Sequence, residues 1–290
     1  MNPKYPIYIV SKKRADSRLT SKALERMGVP YYIVIEEDDY KDYAKVIDKN
    51  KILILPQKYI NDYDTCDNRG NEIGKGPGCA RNFAWDHSIS LGSKFHWVMD
   101  DNILDFLRVN NCQRIRVLDG TIFRCMEDFT ERYKNVYMSG PAYRFFNPSS
   151  EVSPPFVKNT RIYSCNLIRN DIPYRWRGRY NEDTDLSLRI LKDGFCTIQF
   201  NAFLQGKVVT QQIKGGNTEV FYSKEGTFNK SKMLEELHPD VAKVVYKFGR
   251  IHHFVDYTPF KKNKLIRDES IKIDNKINNY GMILVEKEDW

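Results

Sequence analysis

No stretch of this chain approaches the roughly 20 consecutive apolar residues that a membrane-spanning helix requires. Met1 to Pro6 lacks the basic-then-apolar layout of a secretory leader. The expectation is a soluble cytoplasmic protein with no membrane partner. Cysteine builds no framework either. Cys66, Cys79, Cys112, Cys125, Cys165 and Cys196 are scattered, with no Cys-x-x-Cys pair and no nearby His-x-x-x-His to complete a zinc site. They read as half-buried small side chains in a reducing compartment, and none is a candidate nucleophile. Glycine is missing from the polar loop Ser11-Lys-Lys-Arg-Ala-Asp16, where a nucleotidyltransferase would carry a Gly-rich phosphate loop. There is no internal repeat.

What the chain does have is apolar and basic. Hydrophobic residues make up 41% of its 290 positions, enough for one substantial α/β domain plus an extension. The net charge is +8, and it is unevenly spread. From His238 to Arg267, seven Lys or Arg stand against two Asp, a net of +5. Tyr246, Phe248, Phe254, Tyr257 and Phe260 lie among them. Cations meet phosphates and aromatic faces stack on bases, so the segment suits a polyanion. A solvated basic surface over an aromatic core explains it as well.

Strand and helix signals alternate. Tyr5–Val10, Tyr31–Ile35 and Ile52–Leu55 read as strands, with helices over Thr20–Met27 and Asp39–Ile47. Tyr59–Gly76 reads as a long polar loop. Gly76-Pro-Gly-Cys-Ala-Arg-Asn82 opens a helix to about Leu91, and Phe95–Met99 is a buried strand. Strands follow at Ile115–Leu118, Val136–Met138, Arg161–Ile168 and Phe195–Leu204. Helices are expected over Thr121–Tyr133 and from Asn181 to Gly194. Lys214–Asn217 reads as a flexible loop, and the last seventy residues as basic and helical. The pattern predicts a mostly parallel sheet covered on both faces.

Three acidic groups sit at strand ends or helix starts: Glu36–Asp39, Asp100-Asp101-Asn102, and Glu182-Asp183 with Asp185. Two adjacent carboxylates after an apolar strand raise each other's pKa unless a cation relieves them. Mn²⁺ or Mg²⁺ on oxygen ligands does so and can bridge to a diphosphate. Taken alone, an Asp-Asp-Asn is equally a turn or a helix cap. Glu182 and Asp183 either complement a helix dipole or hold a general base at a rigid edge.

The order of these pieces resembles the GT-A glycosyltransferases. The first strand ends in Ser11–Asp16. Gly76–Asn82 then leads through a helix to Val98-Met-Asp-Asp-Asn102, and Tyr180-Asn-Glu-Asp-Thr-Asp185 follows. More narrowly the chain is similar to the TET-associated glycosyltransferases of phages, relatives of the base J glucosyltransferases, over about Tyr5 to Asn217. That resemblance implies a GT-A-like α/β core over residues 1–220, with a donor half to about 105 and an acceptor half beyond, then a basic extension over 221–290. It implies a nucleotide-sugar donor such as a UDP-sugar. Ser11, Arg14, Glu36, Gly76, Arg81, Asn82 and Asp100 would contact the donor, and Asp100, Asp101 and Asn102 a Mn²⁺ or Mg²⁺ ion. Asp183, beside Glu182, would be the base. The implied acceptor is a hydroxymethylated pyrimidine in DNA, inside an infected bacterial cell, with Lys261, Lys262, Lys264, His252 and His253 contacting the nucleic acid. The sequence departs from the usual D-x-D at Asn102, and no His follows Gln205-Gly-Lys207; Lys207, Lys214 or the His252-His253 pair would neutralise phosphate in its place. The alternatives are a nucleotidyltransferase, a transferase on a lipid or cell-wall acceptor, and a DNA-binding module on a degenerate transferase fold.

Overall fold

The computed structural model describes residues 1–67, 76–147, 153–208, 228–247 and 249–272. Its first four strands are β1 (Ile7–Val10), β2 (Tyr32–Ile35), β3 (Ile52–Ile54) and β4 (Phe95–Asp100). β1 pairs in parallel with β2 and β4, and β2 with β3. Helices α1 (Leu19–Arg26), α2 (Tyr40–Tyr43), α3 (Gln57–Asn61) and α4 (Gly78–Ser90) connect them. The continuous apolar runs have a direct cause. Ile7 and Ile9 point into one core with Ala23 and Leu24 of α1. Tyr8 and Val10 point into a second, with Ala84 and Trp85 of α4. Both faces of β1 are covered, so alternation disappears from its sequence.

The second half adds β5 (Ile103–Asn110), β6 (Gln113–Arg116), α5 (Thr121–Thr130), β7 (Val136–Tyr143), β8 (Phe156–Lys158), β9 (Cys165–Arg169), α6 (Glu182–Lys192) and β10 (Cys196–Lys207). The sheet runs β3-β2-β1-β4-β9-β7-β10-β5-β6, with β8 beside β10. Here β7 and β10 are parallel, while β9 and β5 run antiparallel to their neighbours. The α/β fold of GT-A kind is thus parallel in its first half and mixed in its second.

Several elements differ from the sequence expectation. The loop foreseen from Tyr59 begins inside α3, and the strand foreseen from Arg161 starts only at Cys165. Ser164 has φ 61, a left-handed backbone that an extended strand cannot hold. β5, β8 and the last strands were not foreseen. Instead of mostly helix, the described residues of the basic extension form the helix α7 (Phe228–Leu237) and the hairpin β11 (Ala242–Lys247) and β12 (Arg250–Val255). Leu234, Val241, Ala242, Val255 and Phe260 pack there on Leu188 and Leu191 of α6. Asn263 Nδ2 donates to the carbonyls of Leu191 and Phe195 at 2.8 and 2.9 Å. The loop expected at Lys214–Asn217 lies outside the described residues. The described cysteines are free thiols. Among the described residues no helix is long and apolar enough to cross a membrane.

One buried carboxylate holds the amino-terminal segment to α5. Glu127 accepts from the Trp97 indole at 2.8 Å and from the amides of Lys4 and Tyr5 at 2.7 and 3.4 Å. Burial lifts its pKa to about 7 in spite of those donors. The unfolded chain then releases this proton at lower pH than the folded one. The Glu127 contribution is therefore full below pH ~4.5 and lost as pH rises to about 7. Thermal melts of wild type and Glu127→Gln should diverge across that window, the wild type losing the larger share of its melting temperature.

Candidate functional site

A cleft of about 400 Å³ opens at the carboxyl ends of β1, β2 and β4, where ligands enter open α/β sheets. Arg81 stands at its floor, on the first turn of α4, and is 1% exposed. Its Nη1 donates to Asp183 Oδ1 at 2.7 Å and its Nη2 to Asp100 Oδ1 at 2.6 Å. Glu182 Oε1 lies 3.5 Å from Nη2. The guanidinium also lies over Trp176, 4.7 Å from the ring centre. One buried cation therefore ties the end of β4 to the start of α6. Gly76 lets α4 begin here. At φ +80, any Cβ would stand 2.8 Å from the Arg179 carbonyl oxygen.

Asp100 receives a second cation. Lys207, at the end of β10, reaches Asp100 Oδ2 at 2.6 Å and Ser164 Oγ at 2.7 Å. Burial opposes ionisation of Asp100, but Lys207 and Arg81 outweigh it and hold its pKa at about 2. Asp101 has its own partners. It takes Arg14 Nη1 at 2.5 Å and Ser11 Oγ at 2.7 Å. Burial still raises its pKa, with Arg14 partly offsetting.

Asp183 is held from three directions. Besides Arg81, it accepts the Ser164 amide at 3.1 Å and Asn166 Nδ2 at 3.1 Å. Glu182 is held far less tightly. Burial pushes its pKa to about 7, Arg81 opposing and Asp183 adding to the rise. Ser164 and Asn181 both have left-handed backbones, φ 61 and 53. Strained positions of this kind gather at functional sites, where surrounding contacts over-determine them.

Residues 5–216 match the family model for TET-Associated Glycosyltransferase. The chain belongs to this family. No curated protein matches it significantly.

This TET-associated glycosyltransferase brings Ser11, Arg14, Glu36, Gly76, Asp100, Asp101, Asn102, Glu182 and Asp183 to one cleft, with Arg81 beneath. Glu36 pairs with Lys12 at 2.6 Å. Asn82 does not line the cleft. It clamps Trp176, giving Nδ2–H to the Trp176 carbonyl and accepting its amide, both at 2.9 Å. On the extension, His253 lines the cleft, and burial lowers its pKa to about 4. His252 accepts from Arg250 Nε at 3.0 Å. Lys261, Lys262 and Lys264 are exposed and none lines the cleft.

The Asp100-Asp101-Asn102 donor set does not fit a divalent cation. Both Asp100 oxygens are taken by cations of the protein, and both Asp101 oxygens by Arg14 and Ser11. Asn102 Nδ2 donates to the Val208 carbonyl at 3.2 Å, and its Oδ1 alone lacks a partner. Among the described residues no three His, Cys, Asp or Glu side chains gather as metal ligands.

Sequence reasoning overlooked most of the far wall: Tyr143, Arg161, Tyr163, Ser164 and Lys230. Tyr143 and Tyr163 stack at 5.5 Å, 11° from coplanar, and Arg161 lies 4.8 Å over Tyr163. No motif announces them. The end of β7, the turn before β9 and α7 bring them together from distant parts of the chain.

Proposed function

We propose that this enzyme transfers a sugar from a nucleoside-diphosphate donor, such as a UDP-sugar, to the hydroxyl of a hydroxymethylated pyrimidine in DNA. The observation that carries the reading is the Arg81 cluster, which sets two carboxylates with raised pKa values at the sheet's ligand-binding edge. In the reaction the C1–oxygen bond to the diphosphate breaks, and its electron pair leaves on the phosphate oxygen. The acceptor oxygen bonds to C1 from the other side, and its proton passes to a carboxylate. The resemblance assigned that role to Asp183, but its three donors occupy it. Glu182, buried and with a pKa near neutrality, suits general-base work better. Asp183 then orients Arg81.

The donor would enter over β1 and β2, between Glu36 and the Arg14–Asp101 pair. The far wall supports a nucleobase acceptor. A stacked tyrosine pair with an arginine above it offers π-faces and positive charge together. At its rim Phe145 and Phe146 are 87% and 65% exposed, beside Arg144. Apolar surface of this kind, set among cations, suits bases and phosphates better than a lipid.

The test is mass spectrometry of hydroxymethylated duplex and single-stranded DNA after incubation with a panel of nucleotide sugars. A sugar's added mass on the modified base, matched by released nucleoside diphosphate, is expected. Donor hydrolysis without any gain of mass on DNA would remove the DNA acceptor and leave the transferase.

A further inference from the structure

We propose that Lys207, backed by Arg81, neutralises the departing diphosphate in this enzyme, so that donor binding needs no divalent ion. The inference rests on the transferase reading above and concerns which charge serves the donor.

Three features of the structure converge on Lys207. The first is its aim. The pairing of β10 with β5 shifts register between Gly206 and Lys207, and such an irregularity re-aims a side chain. Gly206 leaves room beside it for the buried Asp105 carboxylate, which a Cβ would meet at 2.0 Å from Oδ1. Lys207, the last residue of β10, stands at this irregularity and lines the cleft. The second is its setting. Asp100 Oδ2 and Ser164 Oγ take two of its N–H groups, and an ammonium has three. One donor is left for a phosphate oxygen. Ser164, bonded also to Tyr143 Oη at 2.5 Å, keeps the amine in place. Burial works against the charge, but Asp100 and the other partners raise the Lys207 pKa well above that of a free lysine. The cation is fixed across the working pH range.

The third is competition. A divalent ion on Asp100 would stand against Lys207 and Arg81, both already 2.6 Å from its oxygens. Like charges at such distances repel strongly where water is excluded. Asp101 offers no second ligand, since Arg14 and Ser11 take both its oxygens. A preorganised ammonium meets the charge as it develops on the leaving oxygen, with no reorganisation at that moment.

Isothermal calorimetry of UDP and the other nucleoside diphosphates, with EDTA or with Mn²⁺, tests this directly. Wild-type affinity should agree within about twofold between the two conditions, and Lys207→Met should weaken binding in EDTA by roughly tenfold or more. Lys207→Arg should recover most of the loss. Circular dichroism melts check that the variants fold; if Lys207→Met does not, the wild-type comparison decides alone. Wild-type affinity that collapses in EDTA and returns with Mn²⁺ overturns the proposal. If no nucleoside diphosphate binds in either condition, the donor reading falls and takes this one with it. Tight binding that ignores both EDTA and the Lys207 substitutions leaves the donor reading standing and removes Lys207 from it.

Discussion

Arg81→Met should cost about 3–5 kcal/mol of stability at pH 8 and leave no measurable transfer. Three carboxylates from two parts of the chain face this one guanidinium: Asp100 at the end of β4, and Glu182 and Asp183 at the start of α6. Methionine fills much of the volume, so the loss is one of charge rather than packing. It leaves Asp183 buried with only neutral donors, and Asp100 with Lys207 alone. The defect should shrink as pH falls, because carboxylates that lose a cation take up protons more readily and become neutral. Urea denaturation at pH 5 and pH 8 measures both quantities. Arg81→Lys should fall between, keeping the charge but losing the fork that reaches two carboxylates at once. A methionine variant within ~1 kcal/mol of wild type at both pH values would mean that the cluster does not hold the site.

How much of this was legible in the sequence depends on the range of the forces involved. β1, β2 and β4 announce themselves because both faces of each are buried, which leaves uninterrupted apolar runs. The Gly76–Asn82 helix start and the Asp100–Asp101 turn are contiguous, so their spacing survives in one dimension. Asn82 shows the limit of that evidence. Its position in the motif pointed to the donor, but the amide closes two hydrogen bonds with the Trp176 backbone, 94 residues away. Lys207 was legible only as one of several groups, with Lys214 and the His252-His253 pair, that could neutralise phosphate in place of a missing histidine. Nothing local says that the end of β10 would set it on Asp100. The same holds for Tyr143 and Tyr163, brought together by β7 lying beside β9. β11 and β12 were read as helix because Lys and His obscure the alternation of a strand, and packing on α6 decided the matter.

Glu182→Gln should lower the transfer rate by about two to four powers of ten while leaving donor affinity within a few-fold of wild type. The sign of the pH dependence follows from its environment. Burial raises the Glu182 pKa to about 7, Asp183 adds to the rise, and Arg81 only partly offsets it. A base must be ionised, so the wild-type rate should climb as pH rises through about 7 and level off above it. In Glu182→Gln that inflection should disappear, because glutamine has no proton to lose in this range. Asp183→Asn should behave differently. Its carboxylate accepts from Arg81, the Ser164 amide and Asn166, so its loss disturbs the strained turn that also places the Lys207 partner Ser164. Donor affinity and stability should then fall together with the rate. Single-turnover kinetics across pH 5.5–9, beside donor calorimetry on both variants, separates the two carboxylates. A Glu182→Gln enzyme that keeps the wild-type rate and inflection would return the base to Asp183, as the motif alone implied.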